Sequence, residues 1–206
     1  STFSADSLAK VFDGDVPTIS VRKFMQEQSR GLIDVAFRVL PWMLSAVSRD
    51  SMGNAYAQRS TANEKALREV IPYAQSLGVN WADYDNDKDG LVDGLMLLYS
   101  GRAYQETLKE TDPLRAVTVF PQALEPVTGS FIQRAIRLLE TEGGNILLPG
   151  GIAHELSHTL GAPDLYDRNA GELGLDGGIG SWDMMCNGSR GKWWGTTTLD
   201  PRKPIG

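Results

Sequence analysis

Two histidines stand four residues apart in an H-E-x-x-H sequence, with Glu155 directly after His154 and with His158 closing the motif. They are the only histidines of the chain, and they fall in an apolar helical pattern over 152–160 that Gly161 ends. Residues four apart lie on one face of a helix, so both imidazoles can bind a single zinc ion. Glu155 lies about 100° round the helix from His154, where its carboxylate can reach a water at the metal. The motif therefore predicts zinc-dependent hydrolysis with Glu155 as the general base.

A catalytic zinc commonly has three protein ligands, and the third cannot be histidine because the chain has no other. Asp164 stands six residues beyond His158, in the pattern H-E-x-x-H-x-x-G-x-x-D. We expect Asp164 to be this ligand, because the chain turns back beneath the metal where Gly161 ends the helix. Asp167 is the first alternative. The remaining candidates are the donor residues that follow in the sequence: Glu172, Asp176 and Cys186.

Carboxylates also alternate along an acidic loop, with Gly90 where the chain must bend, as in calcium-binding loops. The expected calcium ligands are carboxylates at alternate positions and one backbone carbonyl: Asp85, Asp87, Asp89, Leu91 and Asp93. Position twelve of the loop is Met96 and not glutamate, so the loop is no complete EF-hand. A structural calcium here favours an extracellular protein, because weak sites fill at millimolar calcium. The alternative is a solvated acidic turn.

The segment His154-Glu-Leu-Ser-His-Thr-Leu-Gly-Ala-Pro-Asp-Leu-Tyr-Asp167 resembles the zinc motif of the immune inhibitor A family of secreted metallopeptidases, which are metzincin-like. The segment Gly180-Ser-Trp-Asp-Met-Met185 is similar to the G-x-W-D-x-M sequence of that family, the methionine turn beneath the metal in metzincins. The resemblance is specific over 150–186 and looser over most of the remaining chain. It implies that Met185 is the structural methionine of this turn.

The resemblance implies a metzincin-like zincin catalytic domain, with a twisted mixed sheet, a backing helix, an active-site helix and a loop-rich C-terminal lobe. It also implies protein or peptide substrates and a secreted, extracellular protein, which we expect to be a monomer. Metzincins often have a tyrosine two residues after the methionine, where this chain has Asn187, so Tyr166 is a spare candidate for that role. Members of that family usually continue into further modules, so the resemblance implies either an excised catalytic domain or an unusually small protein of this kind.

The composition is that of a globular domain, with 206 residues, 41% apolar residues, 22% charged residues and a net charge of -6. This length is sufficient for one self-sufficient core. The chain has no dense basic cluster, so nucleic acid is not an expected partner. It also has no apolar run of about 18 residues, so no membrane span is predicted. The single Cys186 excludes an internal disulfide and a cysteine-rich zinc site.

Hydrophobic periodicity and turn residues predict one α/β (α+β) domain over 1–206. We expect an upper subdomain over 1–161, which includes the active-site helix, and a small loop-rich lower subdomain over 162–206. Residues 1–17 are mixed and polar, and the turn residues over 13–17 indicate an entry segment that ends before Thr18. The other predicted elements are helices over 21–28, 61–77 and 131–139 and strands over 33–40, 91–100 and 116–120. Pro72 predicts a kink or a break in the helix over 61–77, because proline removes a backbone hydrogen bond.

Two other functions remain open on the sequence. One is an inactive peptidase-like binding module with structural zinc and calcium, in which Trp193 and Trp194 present a ligand surface. The other is a zinc hydrolase with non-peptide substrates, which would use the same water chemistry. An intact Glu155 favours an enzyme over a binding module.

Overall fold

The elements of this protein are seen in a computed structural model that describes residues 3–14, 19–48, 61–101, 117–119, 125–142, 145–146, 149–166, 178–179, 183–186 and 188. These residues form a mixed α/β structure. The helices are α1 (Ala5–Asp13), α2 (Val21–Gln28), α3 (Thr61–Ser76) and α4 (Pro149–Thr159). The strands are β1 (Met96–Tyr99), β2 (Val117–Val119), β3 (Glu125–Val127), β4 (Ser130–Ile132), β5 (Ala135–Leu139), β6 (Thr141–Glu142) and β7 (Asn145–Ile146).

The chain divides into two compact units that do not follow its linear order. The first unit comprises Ser1–Ala5 and Leu40–Ile146, and the second comprises Asp6–Val39 and Leu147–Gly206. The second unit therefore contains the H-E-x-x-H motif, and the first contains the acidic loop. A single domain with subdomains over 1–161 and 162–206 stays a prediction.

A three-stranded mixed sheet forms the centre of the first unit, in the order β1-β5-β2. The central strand β5 is parallel to β1 and antiparallel to β2, and every residue of β5 is buried. The predicted helix over 131–139 is therefore wrong, because these residues form β4 and β5. A central strand is buried on both faces, so its apolar residues need not alternate, and such a short segment has no period that separates a strand from a helix.

Helix α3 contributes its apolar face to the core of the first unit. Leu67 packs with Leu97 and Ala135 from the sheet. Ala74 lies in a second cluster together with Trp81 and other residues of this unit. The helix continues through Pro72 to Ser76, so it does not break at the proline, and a kink there stays a prediction. The proline is exposed, and buried residues on both sides of it stabilise the helix across the missing hydrogen bond.

Charged side chains are also buried in the first unit. Arg137 of β5 is fully buried, and its Nη1 donates to Oδ1 of Asn63 in α3 at 3.1 Å. The carboxylate of Glu140 accepts from the backbone N–H of Gly101 at 2.8 Å and from that of Phe3 at 3.1 Å. Burial raises the pKa of Tyr99 to about 12. These polar contacts fix α3 and the N-terminal residues against the sheet, since a buried charge must keep its partners.

The second unit is built around α2, which packs against α4. Helix α2 has the predicted bounds, and it buries Val21, Phe24 and Met25. Arg22 on its other side forms ion pairs with Asp13 and Asp34, and the guanidinium lowers the pKa of the Asp34 carboxyl. Asp13 ends α1 and Asp34 lies after α2, so the two ion pairs connect both helices with the segment that follows α2.

Helix α1 was not predicted, although its apolar residues have helical spacing. Leu8, Val11 and Phe12 are buried at positions i, i+3 and i+4, and Phe12 contacts the ring of Phe37 at 5.1 Å between centroids. The polar residues between them and the turn residues after Asp13 masked this pattern in the sequence. The N-terminal segment therefore contributes a helix to the core of the second unit.

The predicted strands have mixed outcomes. The strands over 116–120 and 91–100 are confirmed as β2 and a shorter β1, with Leu91 forming a single bridge to Phe131. The segment 33–40 alternates between half-buried and exposed residues, as predicted, but it pairs with no strand among the described residues. Alternation of burial is therefore not sufficient for a strand, which also needs a hydrogen-bonding partner. Of the helices in the described part of the chain, none has the length and apolar character that a bilayer span requires.

Candidate metal centre

Helix α4 carries the H-E-x-x-H motif and begins with Pro149, a residue that suits the first turn of a helix. Its end is a Schellman motif around Gly161, which has a φ of 90°. The backbone N–H of Gly161 donates to the carbonyl of His158 at 3.1 Å, and that of Ala162 donates to the carbonyl of Ser157 at 3.0 Å. The chain therefore reverses directly after His158 and returns toward the motif.

This reversal brings Asp164 to both imidazoles. Its Oδ1 lies 3.3 Å from Nε2 of His154 and 3.3 Å from Nε2 of His158. The ligand atoms of these three residues all lie within 4.8 Å of one another. Zinc bonds of about 2.0–2.1 Å in tetrahedral geometry separate adjacent ligand atoms by about 3.3 Å. The spacing of the three side chains therefore fits a zinc ion.

Backbone carbonyls fix the tautomers of both histidines. Nδ1 of His154 lies 2.9 Å from the carbonyl oxygen of Met184, and Nδ1 of His158 lies 2.8 Å from that of Ala162. A carbonyl oxygen only accepts, so each Nδ1 carries the hydrogen and donates it. A neutral imidazole in this state has its lone pair on Nε2, the atom that faces Asp164. Both rings are thus oriented as metal ligands.

A tight turn over 183–186 joins the two ligand-bearing segments. The Met184 carbonyl accepts from His154, and the Met185 carbonyl accepts from the backbone N–H of Leu165, next to Asp164, at 2.8 Å. Oδ1 of Asp183 accepts from the backbone N–H of Met185 at 2.7 Å, and the side chain of Met185 is buried. This is the segment of the predicted methionine turn, and its backbone supports both sides of the site.

A glycine is required at position 178, where the chain passes close to the residues that follow Asp164. Gly178 has a φ of 56°, and a Cβ atom there would overlap the carbonyl oxygen of Leu165. Any other residue would force the segment after Asp164 to move. The position of Asp164 therefore depends on the backbone of Gly178.

Glu155 is 8% exposed and lies on α4 between the two histidines. It does not belong to the three-residue ligand group that the described residues form, and neither does the buried Cys186. The carboxylate is thus adjacent to the candidate ligands in the chain without being one of them. Several residues that the sequence analysis named lie outside the described residues: Asp167, Glu172, Asp176, Asn187, Trp193 and Trp194.

The acidic loop of the first unit forms a second carboxylate group. Ligand atoms of Asp85, Asp87 and Asp89 lie within 4.8 Å of one another. Oδ2 of Asp85 accepts from the backbone N–H of Gly90 and from Oγ of Ser130, both at 3.1 Å. Oδ1 of Asp85 is buried and has no hydrogen-bond partner. A buried carboxylate oxygen in this state suits a cation.

The other two predicted calcium ligands have different contacts. Oδ2 of Asp93 accepts from the backbone N–H of Asn86 at 3.0 Å and from the side-chain amide of the same residue. The backbone N–H of Leu91 donates to Oδ1 of Asp89 at 2.8 Å. Asp93 does not belong to the carboxylate group of the loop among the described residues. It closes the loop through Asn86 instead.

The hydroxyl of Tyr166, which the sequence offered only as a spare candidate for the metzincin tyrosine, donates to Oδ2 of Asp164 at 2.9 Å. Sequence reasoning missed two other contributors to the candidate zinc site, the carbonyls of Ala162 and of Met184. Gly161 was a usable signal for the first, because a Schellman motif fixes the backbone that follows the helix. A backbone carbonyl has no side-chain signature, so the sequence held no comparable signal for Met184.

Comparisons with known proteins give a distant relative of this chain. No family model matches the chain. The chain is similar to Immune inhibitor A of Bacillus thuringiensis subsp. alesti, with 25% identity in an alignment of 234 residues. The alignment covers 95% of this chain and 33% of the relative, so the chain spans about a third of the relative's length. The similarity agrees with the family that the zinc motif resembles.

Proposed function

We propose that this protein is a secreted, zinc-dependent endopeptidase with a metzincin-like catalytic domain. The observation that carries the proposal is the convergence of two Nε2 atoms on one oxygen of Asp164, each at 3.3 Å. Supporting observations are the carbonyl-fixed tautomers, the buried turn at Met185, and the similarity to Immune inhibitor A. Protein or peptide substrates are part of the same proposal.

His154, His158 and Asp164 would hold the zinc, and Glu155 would act as the general base. When bound there, zinc would act as a Lewis acid that could polarise a peptide carbonyl and lower the pKa of a water toward about 7. The Glu155 carboxylate takes the proton from the attacking water and then passes it to the leaving amine. Glu155 is largely shielded from bulk solvent. Its carboxylate can therefore exchange a proton with the attacking water and the leaving amine in preference to solvent water.

Metal analysis together with a digestion assay tests this function. Protein that is purified without a chelator should contain one zinc ion per chain and should digest casein. A zinc chelator should remove both the metal and the activity, and added zinc should restore both. A protein that binds zinc without digesting casein would instead favour the binding module. Hydrolysis of esters or amides without peptide cleavage would indicate a hydrolase of another class.

We also propose a structural calcium ion at the acidic loop, held by Asp85, Asp87 and Asp89. The buried Oδ1 of Asp85 supports this assignment, whereas the contacts of Asp93 with Asn86 leave Asp93 with a structural role in the loop. Such an ion would neutralise the like charges of three neighbouring carboxylates. It would also stabilise the chain that leads into β1.

Calcium addition is expected to raise the melting temperature of the protein. A ligand that binds only the folded state stabilises it by about 2.7 kcal/mol at a hundred times its dissociation constant. Asp87→Ala should abolish most of this gain, because it removes one of the three carboxylates. The control is Asp6→Ala, because Asp6 is an acidic residue in the first turn of α1. This variant should keep the rise in melting temperature that calcium causes. An unchanged melting temperature of the parent protein in calcium would contradict the site.

A further inference from the structure

The two oxygens of Asp164 have different partners. Oδ1 lies 3.3 Å from Nε2 of each histidine, whereas Oδ2 accepts a hydrogen bond of 2.9 Å from the hydroxyl of Tyr166. A carboxylate can bind a metal through one oxygen or through both. The hydrogen bond from Tyr166 distinguishes these two modes. It occupies Oδ2, the oxygen that would have to turn toward the metal if both oxygens were ligands.

We propose that Tyr166 is a positioning residue, which holds Asp164 as a ligand through Oδ1 alone and thereby keeps a coordination position open for substrate. This inference rests on the proposed function, because it concerns the same zinc site. Hydrogen-bonded partners of metal ligands orient those ligands, and their loss typically costs about 10–100-fold in metal affinity or activity. Tyr166 would thus act through Asp164, without contact to substrate.

The backbone around Tyr166 is held so that this hydrogen bond can form. The backbone N–H of Leu165, between the two residues, donates to the carbonyl of Met185 at 2.8 Å. Gly178 also lies close to the backbone of Leu165 and Tyr166, where a Cβ atom would overlap the carbonyl oxygen of Leu165. The tyrosine side chain itself is 41% exposed, so its ring contributes little to the core. Removal of the hydroxyl should therefore leave the fold intact.

Tyr166→Phe tests the inference by a measurement on the protein without substrate. Its zinc dissociation constant, measured by competition with a chromophoric chelator, should rise by about 10–100-fold relative to the parent. The visible spectrum of the cobalt-substituted variant should weaken, because cobalt absorbs less strongly when a second carboxylate oxygen raises its coordination number. Its melting temperature without metal should match that of the parent.

Two further variants separate positioning from a general effect. Tyr73→Phe also removes a phenol hydroxyl, which donates to the carbonyl of Pro41 at 3.0 Å in the first unit, and it should leave zinc affinity unchanged. In an Asp164→Ala background, Tyr166→Phe should have no additional effect on zinc affinity, because the carboxylate that it orients is absent.

The inference is overturned if Tyr166→Phe leaves both zinc affinity and the cobalt spectrum unchanged, or if its effect persists in the Asp164→Ala background. A parent protein that binds no zinc would overturn the proposed function together with this inference. A parent that binds zinc and digests casein, with a Tyr166→Phe variant equal to it, would overturn the role of Tyr166 alone.

Discussion

Glu155→Gln is expected to lose casein hydrolysis while the protein keeps its zinc. Glutamine has nearly the shape of glutamate and fits the same buried position, but its neutral amide cannot accept the proton of the attacking water. A general base typically contributes about 10²–10⁴-fold to the rate, so we expect a loss of that size. The measurements are initial rates of casein digestion and zinc content, on the same preparations.

The matched control for this variant is Glu64→Gln. Glu64 is 9% exposed, close to the 8% of Glu155, but it lies on α3 in the first unit. It therefore tests whether the loss of a buried carboxylate by itself reduces activity, and we expect an activity per folded molecule equal to that of the parent. A Glu155→Gln variant as active as the parent would exclude Glu155 as the base.

Asp164→Ala should weaken zinc binding strongly, whereas Asp167→Ala should not. Structural zinc sites with four ligands have apparent binding free energies of about 10–16 kcal/mol, so one ligand accounts for about 3 kcal/mol or about 100-fold in affinity. Asp164 is the carboxylate whose Oδ1 lies 3.3 Å from both Nε2 atoms. Chelator competition on the two variants measures the difference directly.

This pair of variants also decides between the two carboxylates that the sequence left open. Equal affinities of Asp164→Ala and the parent, with a loss in Asp167→Ala, would assign the third ligand to Asp167. A loss of zinc affinity in both variants would indicate that Asp167 supports the segment that carries Asp164. Melting temperatures without metal are needed for each, because an unfolded variant would also lose zinc.

The parts of the candidate site that could be predicted depend on short-range signals. The helical face with both histidines and the glycine that ends it are encoded within 152–161, and α4 has nearly these bounds. The proposed ligand Asp164 follows within three residues of Gly161, so the turn alone brings it close. The final position of Asp164 also depends on contacts of Leu165 with Gly178 and Met185, which come from further along the chain.

The errors arise where long-range contacts decide the structure. The run over 131–139 was predicted as a helix, but pairing with β1 and β2 makes it the core of a sheet. The segment 33–40 has the alternation of a strand, yet the described residues offer it no pairing partner. The local pattern of 33–40 gives the alternation of burial correctly, whereas the pattern of 131–139 fails at Phe131, which is exposed, and at Arg137, which is buried. In both cases the hydrogen-bonding partner decides the element.

The hydrogen bond between His154 and the Met184 carbonyl has a consequence for the order of folding. The three candidate ligands are neighbours in the chain, so bringing them together costs little loop entropy and can occur early. The carbonyl that orients His154 lies 30 residues further along the chain. During folding, the three candidate ligands would therefore come close together before His154 has its final orientation. Tight metal binding would follow only after the turn over 183–186 had packed against α4.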